Sequence, residues 1–242
     1  MKKFFVLMIL LFVFGTQVWS QKESRIPLIG SDAPSFTSLS TKGKINFPKD
    51  FGKSWKILFS HPQDFTPVCT TEILQLATMQ DEFSKLDVKV AVISTDGLER
   101  HKQWIDYMQE VNYMGKGQQK IDFPLFADVD YTISKSYGMI HQIASTNKDI
   151  RGVFVIDPEN KVRLINFYPM QIGRNMEEIK RAVIAMQTSD KDHVLTPANW
   201  VPGGDVLVPY APYTASQLAA DPSLAKGYYN LGNQVWFKKV SK

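Results

Sequence analysis

The chain has 242 residues, 44% hydrophobic and 21% charged, values of a globular protein that exclude wholesale disorder and collagen-like repetition. Lys and Arg number 28 against 24 Asp and Glu, a net charge of +4; without Lys2 and Lys3 it falls to +2, too small a balance for a nucleic-acid footprint. The single cysteine, Cys69, excludes an internal disulfide, a CxxC redox pair and a multi-cysteine zinc site.

Residues 1–20, MKKFFVLMILLFVFGTQVWS, have the layout of a secretory signal: two lysines, an uncharged apolar run from Phe4 to Phe14, and the small residue Ser20 at the expected cleavage point before Gln21. The alternative is an uncleaved membrane anchor, but the run is shorter than the roughly 20 apolar residues that span a bilayer. No second long apolar run follows. The mature protein is therefore expected to be soluble and exported, with a bacterial periplasm as the natural compartment.

Two short β-like stretches surround Asp50-Phe51-Gly52-Lys53 within residues 46–60, and the second, Trp55–Ser60, has the aromatic and branched content of a buried strand. A turn-prone segment, His61–Val68, leads into a helical pattern over Cys69–Leu86, with Ile73, Leu76, Ala77, Gln80 and Phe83 on one face. Val88–Ile93 reads as the next strand. Asp96 is placed to cap a following helix, with Glu99 in the capping-box position and His101, Trp104, Ile105 and Met108 along one stripe. His101 is expected at the edge of the core. Phe123–Phe126 and a short helix over Tyr131–Tyr137 come next. Val153–Ile156 and Val162–Phe167, flanking Asp157-Pro158-Glu159-Asn160, predict a β-hairpin. Asn175 is placed to cap the next helix, with Glu178 in the box position and Met176, Ile179, Val183 and Met186 facing inward.

The order β-α-β-α, β-hairpin, α argues an α/β sheet core covered by helices. After Thr188 the composition shifts: five of the 13 prolines and four of the nine tyrosines lie beyond it. That segment is expected to be strand- and loop-like, with Ala215–Ala220 its main helical candidate. The division is a signal over 1–20, a main domain over 21–187 and a small C-terminal domain over 188–242.

The stretch that carries chemistry is Phe59-Ser60-His61-Pro62-Gln63-Asp64-Phe65-Thr66-Pro67-Val68-Cys69-Thr70-Thr71-Glu72. It places Cys69 at the first turn of a helix, where free backbone N–H groups and the positive end of the helix dipole favour an anion. The thiolate is the nucleophilic form of cysteine. Thr66, three residues earlier, brings a hydroxyl that both donates and accepts, suited to a substrate whose two oxygens play different roles. Pro62 and Pro67 stiffen the loop. Taken alone, a single cysteine is more often a small buried hydrophobe.

The neighbours change that weighting. P-x-x-x-T-x-x-C, present as Pro62, Thr66 and Cys69, resembles the active-site signature of the peroxiredoxins, and FSHPQDFTPVCTTE is similar to the one-cysteine peroxiredoxin-6 subfamily. Arg151-Gly152-Val153-Phe154-Val155-Ile156-Asp157 resembles the family's arginine-bearing strand, and Gly173-Arg174-Asn175 its second arginine site. Thr196-Pro197-Ala198-Asn199-Trp200 and Pro202-Gly203-Gly204-Asp205 resemble the subfamily's C-terminal domain, so the likeness covers roughly residues 27–240.

That resemblance implies a thioredoxin-like fold, a central mixed sheet flanked by helices, with a small C-terminal domain. It implies a thiol-dependent peroxidase acting on hydrogen peroxide and organic hydroperoxides through a cysteine sulfenic acid. Cys69 would be the peroxidatic cysteine and Thr66 would align the peroxide. Arg151 would stabilise the thiolate and the charge developing on the leaving oxygen. Arg174 would support it from a second position, Pro62 would shield the sulfur from water, and Glu72 would hold an arginine. For His61 two readings stay open: a histidine satisfied by neighbouring groups, or one that contacts the oxidised cysteine or the reductant. No metal or cofactor is implied, and His141 and His193 have no ligand cluster at metal spacing. With no second cysteine, the sulfenic acid must be resolved by an external thiol. A homodimer or a ring of dimers is the implied assembly.

Three rivals are separable. Some members of the resembled subfamily are described as phospholipases; Ser54 matches their serine, but Phe47-Pro48-Lys49 stands where their histidine is expected, and a serine without a base is a weak nucleophile. A chaperone-like or structural oligomer would keep its role in Cys69→Ser. A thioredoxin-type disulfide exchanger needs two thiols in one chain.

Overall fold

The computed structural model describes residues 26–145, 147–232 and 235–240. The expected signal segment and its cleavage point lie outside the described residues.

The sheet that positions the site has seven strands. In chain order they are β1 (Phe36–Ser40), β2 (Gly43–Phe47), β3 (Trp55–Ser60), β4 (Val88–Ser94), β5 (Leu125–Ala127), β6 (Arg151–Ile156) and β7 (Val162–Tyr168), and in space they run β2-β1-β5-β4-β3-β6-β7. β3, β4 and β5 are parallel; β6 runs antiparallel to β3 and pairs with β7 in the expected hairpin, Arg151 opposite Tyr168. The sheet is thus mixed, with its parallel strands at the centre.

Alternation along β3 assigns side chains to the two faces. Trp55, Ile57 and Phe59 join one core with Ile73, Leu76, Ala77 and Phe83 of α1 (Pro67–Lys85), Trp104 and Met108 of α2 (Leu98–Gln109), and Met176, Ile179 and Val183 of α4 (Met176–Asp192). Leu58 points the other way, into a core with Phe126, Phe154, Ile156 and residues Ile133 and Tyr137 around α3 (Thr132–Ser136). Strands covered on both faces read as continuous apolar runs, which is why β3, β4 and β6 stand out in the sequence. Lys56 breaks the run of β3: it is fully buried, and its Nζ donates to Asn160 Oδ1 at 2.7 Å and to Asp157 O at 3.2 Å.

Three expectations change. Asp96 does not cap α2, whose N-cap is Gly97, because tertiary partners take its carboxylate: Asp64 N–H at 2.7 Å, with Arg100 and Lys148 beside it. α1 starts at Pro67, so Pro67 opens the helix instead of closing the loop. His101 is at the centre of the packing, fully buried, not at its edge. The Asn175 cap holds, its side chain accepting from Glu178 N–H at 3.1 Å.

α4 runs on to Asp192, across residues 187 and 188, and the chain then forms a second, three-stranded sheet of β8 (Val206–Leu207), β10 (Val235–Lys238) and β9 (Tyr228–Leu231), with α5 (Ala215–Ala220) as expected. Ala185 of α4 packs with Val194, Trp200 and Val206 in a small separate core.

Candidate active site

The loop between β3 and α1 is the foundation of the site. Pro62 is buried in it. Thr66 occupies the N-cap position with extended backbone, and Pro67 sits at the first helical position, where an N–H would have no partner in the helix. The first inward bond of the ladder is Thr70 N–H to Thr66 O at 2.9 Å, so the Val68 and Cys69 N–H groups precede it. Cys69, the third residue of the helix, is fully buried.

Two arginines meet at this turn from sequence positions far away. Arg151, the first residue of β6, donates from Nη1 to Cys69 Sγ at 3.3 Å and to Glu72 Oε2 at 2.7 Å, and from Nε to Met170 O at 2.8 Å. Arg174, just before α4, grips the same carboxylate: Nε to Oε1 at 2.8 Å, Nη2 to Oε2 at 2.7 Å, and its backbone N–H to Oε1 at 2.8 Å. Arg174 Nη1 also donates to Ser60 O and Gly152 O, and its guanidinium lies 3.3 Å from the centroid of the Phe59 ring. Glu72 therefore holds both arginines, where the sequence suggested one.

Burial pushes the Glu72 carboxyl up, but the hydrogen bonds and charge of Arg174, followed by the charge of Arg151, carry it below the ordinary carboxylate range. Burial likewise pulls the Arg174 guanidinium down against the pull of Glu72; a guanidinium starts so high that it keeps its charge. The result is a fixed anion with two fixed cations, one of which touches sulfur. The Cys69 sulfur thus sits in the first turn of a helix with a guanidinium nitrogen 3.3 Å away.

Thr66 Oγ1 donates to Gln63 O at 2.8 Å. Its proton is committed there, so the hydroxyl oxygen is left as an acceptor. Ser60, which reading of the motif did not single out, ties the two strands behind the site: its Oγ donates to Ile150 O at 2.7 Å and accepts from Gly152 N–H at 2.8 Å.

His61 belongs to a buried chain. Its Nε2 lies 2.7 Å from Asp64 Oδ1, Asp64 Oδ2 lies 2.7 Å from His101 Nδ1, and His101 Nε2 lies 3.1 Å from Phe126 O; all three side chains are fully buried. Burial lowers the His61 pKa against the hydrogen bond it gives to Asp64, so this imidazole is neutral. Burial raises the Asp64 pKa, but the hydrogen bonds of His101 and His61 overcome it and bring it to about 2. The sequence held two signals for this chain: an acid inside the motif, and a titratable residue on the apolar stripe of α2. His61, Asp64 and Asp96 each place a potential ligand atom within 4.8 Å of the others, a cluster hidden from sequence spacing. Those groups already bond one another: Asp64 Oδ1 accepts from His61 Nε2–H and Asp96 Oδ2 accepts from Asp64 N–H.

Ser54 lies elsewhere, its Oγ donating to Asp87 Oδ1 at 2.7 Å. Its partner is a carboxylate at the turn before β4, and the bond serves the fold. Ser54→Ala is expected to leave the peroxide rate unchanged, to alter no ester hydrolysis, and to cost about 1 kcal/mol in urea unfolding. A Ser54-dependent esterase signal would refute this.

The AhpC/TSA family profile matches residues 29–165, and the profile of the C-terminal domain of 1-Cys peroxiredoxin matches residues 185–218. A peroxiredoxin of Methanosarcina mazei is 48% identical over 185 residues, 76% of this chain and 84% of that one. A solved yeast mitochondrial 1-Cys peroxiredoxin superposes with a TM-score of 0.73 at 38% identity, over 88% of this chain and all of that one. A mutant of the peroxiredoxin 6 of Arenicola marina superposes at 0.76 with 30% identity, over 89% of this chain and 99% of that one. The chain belongs to the peroxiredoxin family and is a thiol-dependent peroxidase of the one-cysteine type.

Proposed function

We propose that Cys69 reduces hydrogen peroxide and organic hydroperoxides outside the cytoplasm and is returned to the thiol by a reductant from another molecule. The observation that carries the site assignment is the 3.3 Å contact from Arg151 Nη1 to Cys69 Sγ, with Arg151 held by Glu72. The thiolate attacks one peroxide oxygen, an S–O bond forms as the O–O bond breaks, and sulfur is oxidised by two electrons to the sulfenic acid. The leaving oxygen departs with the electron pair of the O–O bond and takes a proton to become water or an alcohol. Arg151 faces the charge that develops there. Thr66 accepts the hydrogen bond of the peroxide O–H, Pro62 keeps water from the sulfur, and Arg174 acts through Glu72. An external thiol then attacks the sulfenic sulfur and releases water, and a second thiol frees Cys69. The yeast relative is described as resolved through glutathione and thioredoxin systems, which supports a thioredoxin-like protein or a small thiol as the reductant class here.

Rapid mixing of the mature protein with hydrogen peroxide, followed by tryptophan fluorescence, tests this. Trp55 leads into the loop, and Trp104 Nε1 donates to Thr70 Oγ1 one residue past Cys69. A fast second-order change that leaves a sulfenic acid trappable on Cys69, absent in Cys69→Ser, is the expected result. A rate no greater than that of an ordinary thiol overturns the reading.

The export part of this proposal rests on the layout of residues 1–20. Intact-mass measurement of protein recovered from the exported fraction is expected to show a chain beginning at or next to Gln21; a full-length chain in the membrane fraction refutes it. A homodimer or ring of dimers is the proposed assembly, supported by exposed Tyr210, Leu231 and Val235 on and beside the C-terminal sheet.

A further inference from the structure

We propose that Asp64 and His101 are positioning residues that act as one unit, sharing a single buried proton and thereby holding the Pro62–Thr66 loop in its reactive shape. This inference rests on the peroxidase reading of Cys69 and deepens it.

His101 faces two acceptors, the Asp64 carboxylate through Nδ1 and the Phe126 carbonyl through Nε2, at 2.7 and 3.1 Å. A neutral imidazole has one N–H, so it can serve both contacts only if the carboxyl carries the missing proton. Either way, the line from Asp64 to Phe126 O contains one proton more than a carboxylate beside a neutral histidine. With His61 neutral, the three side chains sum to zero charge, which is what full burial requires.

This unit fastens the loop from several sides. Asp64 binds His61 at the end of β3 and His101 on α2; its backbone N–H donates to Asp96 Oδ2 at 2.7 Å, and its carbonyl accepts from Arg100 Nη2 at 3.3 Å. The next residue, Phe65, has φ of 59°, a left-handed conformation that a bulky side chain adopts only when its surroundings impose it. The Arg100 guanidinium sits 5.2 Å from the Phe65 ring centroid, so α2 also clasps the residue after Asp64. Thr66 follows directly. Its hydroxyl bond goes to Gln63 O, the carbonyl of the residue before Asp64, so Asp64 lies inside the turn that aims Thr66.

A mutant cycle separates the shared proton from simple packing. His101→Gln offers donors at one end only, so beside Asp64 it leaves either the carboxylate or Phe126 O without a donor. Adding Asp64→Asn repairs this: the Asn amide donates to the Gln carbonyl, the Gln amide donates to Phe126 O, and the Asn oxygen still accepts from His61. The readouts are the second-order rates of Cys69 with hydrogen peroxide and with iodoacetamide, well below melting. His101→Gln is expected to slow the peroxide reaction at least tenfold while alkylation stays within threefold, because alkylation does not need Thr66. Asp64→Asn/His101→Gln is expected to react with peroxide at least fivefold faster than His101→Gln. If His101→Gln does not fold, Asp64→Asn must react at least fivefold faster than Asp64→Ala. A double variant no faster than His101→Gln, or in the second comparison an Asn variant no faster than Ala, overturns this inference alone. A wild-type chain no faster with peroxide than a free thiol overturns the peroxidase reading and this inference with it.

Discussion

Arg151→Met is expected to lower the second-order rate of Cys69 with hydrogen peroxide by about two to three orders of magnitude, the usual cost of removing a donor aimed at developing charge. Arg151 is the cation that touches sulfur, at 3.3 Å, and it is itself immobilised by Glu72 and Met170 O. Methionine keeps much of the volume and removes the charge. The fold should survive, because Glu72 retains three hydrogen bonds from Arg174. Arg151→Lys is expected to fall between: an ammonium is a point charge and cannot reach the sulfur, the carboxylate and the carbonyl with fixed fork geometry. Stopped-flow mixing with peroxide, beside circular dichroism to show folded protein, measures this. An Arg151→Met chain within threefold of wild type would remove Arg151 from the chemistry and leave the helix N-terminus as the main source of activation.

What could be read in advance followed the range of the interactions. β3, β4 and β6 are largely apolar, interrupted by Lys56 in β3 and Lys89 in β4, the β6–β7 hairpin is marked by its turn residues, and α1 and α4 carry regular inward stripes; such signals are local. The cap of α4 by Asn175 is local too, and it holds. Asp96 has the same local pattern and fails as a cap, because Asp64, Arg100 and Lys148 compete for its carboxylate. β1, a short strand with alternating exposure, and the β8–β10 sheet, whose two- to four-residue strands lie near the surface, leave too little periodicity to register. At the site, Cys69, Thr66 and Pro62 fall within one local motif. The double grip of Glu72 spans 79 residues to Arg151 and 102 to Arg174, and His101 meets Asp64 across 37. Pairings of that length exist only once the sheet has formed, so residue types can suggest them but not assign the partners.

Glu72→Gln is expected to be the most destabilising single change near the site, because it removes the carboxylate that two buried cations share. Glu72 is 3% exposed and accepts four hydrogen bonds, one from Arg151 and three from Arg174. Glutamine has the same shape, but one of its ends becomes a donor facing guanidinium donors. Both arginines then lose their carboxylate partner in the interior, and only the Cys69 sulfur remains beside Arg151, a loss of about 3–5 kcal/mol for a broken buried pair. The pH dependence has a definite sign. The folded-state pKa of Glu72 lies below its unfolded value of about 4.3, so its contribution is complete above that value. It is lost as pH falls from there through the lower folded-state pKa, where the folded carboxylate is forced to take a proton. Wild type should therefore lose stability over that acid window, and Glu72→Gln should start lower at pH 7 and fall less steeply across it. Urea unfolding at neutral pH and at several pH values below 4.3 checks both parts. The peroxide rate should drop as well, since Arg151 loses the bond that aims it at sulfur. A Glu72→Gln chain as stable as wild type at pH 7, with the same acid limb, would mean that the two guanidiniums find other acceptors, Met170 O, Ser60 O and Gly152 O being those already within reach.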